Sequence, residues 1–234
     1  VRIKFKNFNI IITTNKAEFE YFAHKFVIPK NKLYLLSNGI DQEKFNDIKK
    51  LEKNNKNKNN NINISYIGNI GVAQGLDTLL LAAKNFPDID FNIVGSGRNL
   101  ESIKRKVYKY NLKNVNLFGR VSWEKVLKIY TKTDILYAQL SEEFNSAIPS
   151  KLYEYLASGK CIIYGGFGEA AKKLKKFENV FLIKPKNEQV LTNSIKEIIE
   201  KKYHNKISVL NKKIIEENYI REKEVKKFFD KKIK

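Results

Sequence analysis

The stretch Pro149-Ser150-Lys151-Leu152-Tyr153-Glu154-Tyr155-Leu156-Ala157-Ser158-Gly159-Lys160 places together the residue types that hold a phosphate and a diol. Pro149 and Ser150 open a helix in the way helices prefer, which predicts free N–H groups at Ser150, Lys151 and Leu152 for an anion, with Lys151 adding a full positive charge. Glu154 falls one turn further in, on the face that Ser150 and Lys151 begin. A carboxylate there accepts hydrogen bonds from the hydroxyls of a sugar or a ribose. The plainer alternative is a glutamate that only favours the N-terminal half of its helix.

A second group is rich in glycine. Gly68-Asn69-Ile70-Gly71-Val72-Ala73-Gln74-Gly75 joins a β-branched run ending at Ile67 to a helix starting near Leu76. Glycines permit a tight turn and a close approach to phosphate, and a helix start offers unpaired N–H groups. The spacing G-x-x-G-x-x-x-G is not a dinucleotide fingerprint, and the next strand ends in Gly95-Ser96-Gly97-Arg98 instead of the acidic residue that holds an adenosine ribose. No Gly-Lys-Ser/Thr makes a Walker A loop. Arg98, and Arg120 after Gly119, have the guanidinium geometry that matches phosphate oxygens. Each reads equally as a solvated charge.

These loops need a frame that brings them to one edge. Apolar runs at Ile64–Ile67, Phe91–Val94, Val115–Phe118, Ile135–Ala138, Cys161–Tyr164 and Val180–Ile183 read as strands, and the segments between them carry helical spacing. Six strands alternating with helices predict an α/β fold with a doubly wound, six-stranded parallel sheet, whose ligands sit beyond the carboxyl ends of the strands. Ahead of it, strands at Ile10–Thr14 and Leu33–Leu36 flank a helix over Lys16–Phe26. They are too little to form a core alone and read as the tail of a larger domain. The expected organisation is a remnant of an N-terminal domain with its hinge over 1–48, an Asn/Lys-rich linker over 49–63, a Rossmann-like binding domain over 64–204, and C-terminal helices over 205–234.

A chain of 234 residues with 42% hydrophobic content can bury one large core. It contains no Met and begins at Val1, as expected either of a fragment of a longer product or of a chain whose true start is not shown. One Cys and two His leave no disulfide framework and argue against thiol or metal chemistry, so no metal and no cofactor are expected. No apolar stretch suits a bilayer span or a signal peptide, and the expected location is cytoplasmic. The net charge of +20 invites an anionic partner, yet the lysines are spread over every predicted helix, unlike a nucleic-acid stripe. No nucleic-acid partner is expected. The last helix, with Val225, Phe228, Phe229 and Ile233 on one face, suits either a peripheral membrane contact or docking on the protein itself.

Several of these motifs, in order and spacing, resemble family-4 (group 1) glycosyltransferases of the GT-B fold, in their C-terminal, donor-binding half. Leu36-Ser37-Asn38-Gly39-Ile40-Asp41 to Phe45 is similar to the family's hinge, Tyr66-Ile67-Gly68 to Gly75 to its first donor loop, and Ile93-Val94-Gly95-Ser96-Gly97 to its second turn. Phe118-Gly119-Arg120-Val121 resembles a third element. PSKLYEYLASG, Pro149 to Gly159, resembles the form in bacterial capsule and O-antigen transferases. The resemblance implies a retaining transferase acting on a nucleoside-diphosphate sugar, UDP being the commonest donor, with a lipid-linked or saccharide acceptor in cell-surface polysaccharide synthesis.

By the same resemblance Ser150, Lys151 and Leu152 hold the diphosphate, Glu154 the ribose, the main chain at Arg120 and Val121 the base, and Gly68 to Gly71 with Gly95 the far side of the cleft. Asn69 and Gln74 stand where many members carry Arg and Lys, which leaves phosphate charge to Arg98 and Lys151. Ser146 stands where the family's first glutamate falls, with Glu142 and Glu143 as candidate substitutes. The acceptor site lies in the other half, so the chain alone is expected to bind nucleotide and transfer sugar slowly or not at all. The rivals are a nucleotide-sugar epimerase of the same fold, a basic module that binds an anion, nucleic acid or membrane, and an inactive fragment.

Overall fold

The computed structural model describes residues 7–51 and 61–232. Strands β3 (Asn63–Ile67), β4 (Asp90–Val94), β5 (Val115–Gly119), β6 (Ile135–Gln139), β7 (Cys161–Gly165) and β8 (Val180–Ile183) follow β1 (Ile11–Thr13) and β2 (Leu33–Leu35) in the chain. β3 to β8 form one sheet in the order β5-β4-β3-β6-β7-β8, parallel throughout. Every residue of β6 and β7 is buried. That is why these strands read as continuous apolar runs: helices cover both faces of the sheet.

One face carries α3 (Asp77–Ala83), α4 (Leu100–Lys109) and α8 (Glu188–Glu200), with Leu79, Ile103, Leu191 and Ile195 in the core. The other carries α5 (Trp123–Lys132), α6 (Lys151–Ser158), α7 (Gly168–Leu174) and α9 (Val209–Asn218), packed through Tyr130, Tyr155, Leu156, Leu174 and Ile215. The strand order reverses between β3 and β6. A sheet of this kind opens its ligand crevice at that reversal, between the loops that follow those two strands.

The leading residues pair β1 with β2 in parallel around α1 (Lys16–Lys25). None of the residues of α1 is buried, and Phe8, Ile10, Ile12, Tyr21 and Val27 are exposed.

The sequence reading has no helix between Asp41 and Lys50, but α2 (Gln42–Lys50) stands there. It shows two buried apolar residues, Phe45 and Ile48, too few to make a period, and tertiary packing supplies the rest. Both enter the core with Tyr155 and Ile215, and α2 lies along α6. The expected linker over 49–63 begins within α2 and ends in β3, and its residues 52–60 lie outside the described residues.

Past α9, α10 (Arg221–Lys232) returns to the hinge: Ile40 N–H donates to the Tyr219 carbonyl at 2.9 Å and Arg221 N–H to the Ile40 carbonyl at 2.9 Å. A Cβ on Gly39 would come within 2.2 Å of the Tyr219 carbonyl oxygen, which explains the glycine of the hinge motif. On α10, Phe228 packs edge-on against Tyr34 at 5.3 Å, Phe229 is exposed, and Ile233 lies outside the described residues.

Candidate functional site

The loops after β3 and β4 are bonded to each other along their backbones. Gly68 N–H donates to the Val94 carbonyl at 2.8 Å, Ile70 N–H to Ser96 at 2.8 Å, and Asn99 N–H to Ile70 at 3.0 Å. A Cβ on Gly95 would stand 1.8 Å from the Gly68 carbonyl oxygen, and one on Gly97 2.3 Å from that of Ile70. Loop-on-loop packing therefore requires glycine at both positions. The first loop also differs from its expected form. A short 3-10 turn, Val72–Gln74, precedes α3, and the Gln74 side chain accepts from Gly71 N–H at 2.9 Å within the loop. Gln139, buried at the end of β6, holds this loop from below by donating to the Gly75 carbonyl at 2.9 Å.

At the reversal point α6 is fastened to the end of β3 by two side chains on one helical face. Tyr155 accepts from Ile67 N–H at 2.8 Å and lies within 3.2 Å of the Ile67 carbonyl oxygen, which its own hydroxyl can reach as a donor. One turn earlier, Lys151 donates to the Tyr66 hydroxyl and lies over the Tyr66 ring at 3.8 Å, while that hydroxyl donates to the Asn69 carbonyl. The Lys151 chain passes over Gly68, where a Cβ would come within 2.7 Å of its Cε and Nζ. Burial pulls the Lys151 ammonium down to about 7, and the Glu154 carboxylate opposes that shift. Burial also pushes the Tyr66 phenol up, so it stays a neutral donor.

Glu154, one turn along the same helix, reaches toward α2 and α5. Its Oε1 accepts from Lys44 Nζ at 3.0 Å and its Oε2 from the Tyr130 hydroxyl at 3.4 Å. Lys44 also lies over the Trp123 ring at 5.0 Å, and Trp123 Nε1 donates to Asp47 at 3.0 Å. Lys44, Tyr130 and Trp123 were not among the sequence candidates. Only the packing of α2 brings Lys44 here.

Ser150 is exposed at the start of α6 and its hydroxyl makes no capping bond, so it remains open with the Lys151 N–H. Leu152 differs from expectation: its N–H donates to the Pro149 carbonyl at 3.1 Å and its side chain is in the core, so it offers no anion donor. Arg98 and Arg120 are exposed on the loops after β4 and β5. Val121 packs against the core beneath its loop. Asn69 is exposed, with its carbonyl held by Tyr66. Glu143 pairs with Lys186 at 3.6 Å, away from α6, while Glu142 and Ser146 are exposed. Cys161 is buried in β7, where burial pushes its thiol up and out of nucleophilic range. Among the described residues no three His, Cys, Asp or Glu side chains gather as a metal-ion group, and no helix is long and apolar enough to cross a membrane.

The arrangement is an anion-ready helix start, a lysine laid over a glycine loop, and a carboxylate one turn on, all at the switch point of a parallel sheet. The sequence profile of the family described as Glycosyl transferases group 1 matches residues 47–219, from within α2 through α9. The chain belongs to the group 1 glycosyl transferases. The matched span contains every loop of the site.

Among relatives of this group 1 glycosyl transferase, an uncharacterized glycosyltransferase of Methanocaldococcus jannaschii, MJ1069, is 25% identical over 236 residues, covering 97% of this chain and 59% of its own. WcaI of Escherichia coli K12, named for colanic acid biosynthesis, is 26% identical over 151 residues, covering 62% of this chain and 37% of its own. The Anabaena HepE structure, in complex with UDP and glucose, superposes with a TM-score of 0.74 at 18% identity, over 95% of this chain and 62% of that one. The sheet and its helices thus have the GT-B fold. The chain spans about three-fifths of the length of MJ1069 and of HepE.

Proposed function

We propose that this chain is the donor half of a retaining glycosyltransferase that takes its sugar from a nucleoside diphosphate, with UDP as the carrier. The observation that carries the reading is Lys151, held by Tyr66 across Gly68 at the start of α6. A diphosphate placed there meets the ammonium and the open N–H groups of Ser150 and Lys151. Departure of the nucleoside diphosphate leaves negative charge on its terminal phosphate, and fixed donors aimed at that charge lower the barrier without reorganising. Glu154, one turn deeper, accepts from the ribose hydroxyls, and the loop at Arg120 and Val121 borders the base. This chemistry asks for no metal. The HepE complex with UDP and the name of WcaI support a uridine donor and a place in cell-surface polysaccharide synthesis, with a saccharide or lipid-linked acceptor.

Titration calorimetry of the chain with UDP, GDP and ADP tests the reading. Selective binding of UDP is the expected result. Equal weak binding of all three, abolished by moderate salt, would instead show a site driven by net charge alone.

A further inference from the structure

A second cleft, of about 220 Å³, opens between the leading β1-α1-β2 unit and α7. Four lysines line it, Lys16, Lys172, Lys173 and Lys176, against one carboxylate, Glu169. Glu169 pairs with Lys172 at 3.0 Å, and Lys16 pairs with Glu20 at 3.6 Å in the open. Lys173 lies over the Tyr219 ring at 4.5 Å and donates to the Tyr153 hydroxyl at 3.1 Å. Among the described residues, no carboxylate stands within ion-pair distance of Lys173 or Lys176. Burial first, and then the neighbouring Lys176 charge, pull the Lys173 ammonium below its ordinary value. The cleft therefore carries a net positive charge around the partly buried Lys173, a setting that favours an anion.

Two further features belong to the same cleft. Asn15 lines it, only 3% exposed, and caps α1 by accepting from Glu18 N–H at 2.9 Å, while its Nδ2 has no hydrogen-bond partner. Ile148 also lines it, and the chain runs from there through Pro149 and Ser150 to Lys151. The loop is tied to α7, because Glu169 N–H donates to the Asn145 carbonyl at 2.9 Å. One loop thus borders the donor site at one end and the basic cleft at the other.

We infer that this cleft takes a phosphate group carried by the acceptor, which makes the acceptor an anionic phosphoester or diphosphate. The inference rests on the donor reading, because only a neighbouring donor site makes the bound phosphate part of an acceptor. Ammonium groups act as point charges toward phosphate oxygens, so the four lysines select for charge and leave the group attached to the phosphate unspecified.

The test is calorimetry on the full chain held in saturating UDP, so that the donor position is filled. The probes are inorganic pyrophosphate, geranyl diphosphate and geraniol. Both diphosphates bind and geraniol does not. The double substitution Lys172→Ala with Lys176→Ala, both exposed side chains, weakens diphosphate binding about tenfold or more, with UDP affinity within about twofold of the parent. Geranyl diphosphate binding more tightly than pyrophosphate supports a lipid-linked acceptor, and equal binding supports a water-soluble sugar phosphate. Diphosphate binding that the double substitution leaves unchanged, or geraniol binding as well as geranyl diphosphate, overturns the inference. The separate UDP titration reports on the donor reading alone, so the two fail independently.

Discussion

The ammonium of Lys151 lies 3.8 Å from the centroid of the Tyr66 ring and donates to its hydroxyl, so the first residue of α6 is fastened to the end of the central strand. The contact holds a long, rotamer-rich side chain across Gly68 before any ligand arrives. Ordering it in advance removes part of the entropy that binding would otherwise cost. The same burial makes the charge on Lys151 labile, and a pH dependence follows.

A diphosphate pairs with protonated Lys151, whose free-site pKa is pulled down to about 7. Below that value the site is already charged, and above it binding must take up a proton. UDP affinity therefore falls as pH rises through this region, by up to about tenfold per pH unit. Calorimetry from acid to alkaline pH, repeated in buffers of different ionisation enthalpy, should show proton uptake on the alkaline side. Lys151→Arg should flatten the profile, since a guanidinium stays protonated.

Glu154 is assigned to the ribose diol, and UDP compared with 2′-deoxy-UDP isolates that contact. The parent should prefer UDP by about tenfold, and Glu154→Ala should erase the preference. An undiminished preference in the variant would place the ribose elsewhere. The Lys44–Glu154 ion pair, with side chains 39% and 21% exposed, is screened by solvent, so Lys44→Ala should cost only about 0–1 kcal/mol in urea unfolding.

Gly95 and Gly119 both have positive φ, +137° and +66°, but differ in surroundings. A Cβ at Gly95 strikes the Gly68 carbonyl oxygen at 1.8 Å, whereas one at Gly119 meets nothing within 4 Å. Gly119→Ala should cost about 1 kcal/mol from backbone strain alone, and Gly95→Ala about 3 kcal/mol or more because two loops must separate. Equal losses in denaturant titrations would remove the packing explanation for Gly95.

Tyr155 is fully buried and its hydroxyl accepts from Ile67 N–H at 2.8 Å. Tyr155→Phe leaves that amide without a partner in a dry site, at a cost of about 1–3 kcal/mol. Hydrogen exchange at Ile67 should accelerate more than at Ile64, deeper in the same strand. Uniform exchange across β3 would mean that the tie is not local.

The sheet was legible in the sequence because a buried parallel strand needs apolar residues on both faces, and runs such as Ile135–Ala138 and Cys161–Tyr164 say so without help from distant residues. The helix start at Lys151 was legible for a similar local reason, in Pro149 and Ser150. What failed to show depends on tertiary contacts. Phe45 and Ile48 make α2 only by meeting α6, and so Lys44 reaches Glu154 unannounced. The second reason for glycine at position 95 was hidden too, because residue type does not reveal that its neighbour is the Gly68 carbonyl. The Leu152 N–H is removed from the site by the tight first turn that bonds it to Pro149, a choice of backbone geometry invisible in residue type.

The central claim is that Lys151 and the start of α6 receive a nucleotide diphosphate. A crystal structure of the chain grown with saturating UDP tests it most directly. The account predicts the diphosphate within hydrogen-bond distance of Lys151 Nζ and the Ser150 and Lys151 amides, with the ribose on Glu154. UDP seated elsewhere, or an α6 start left empty at saturation, would contradict it.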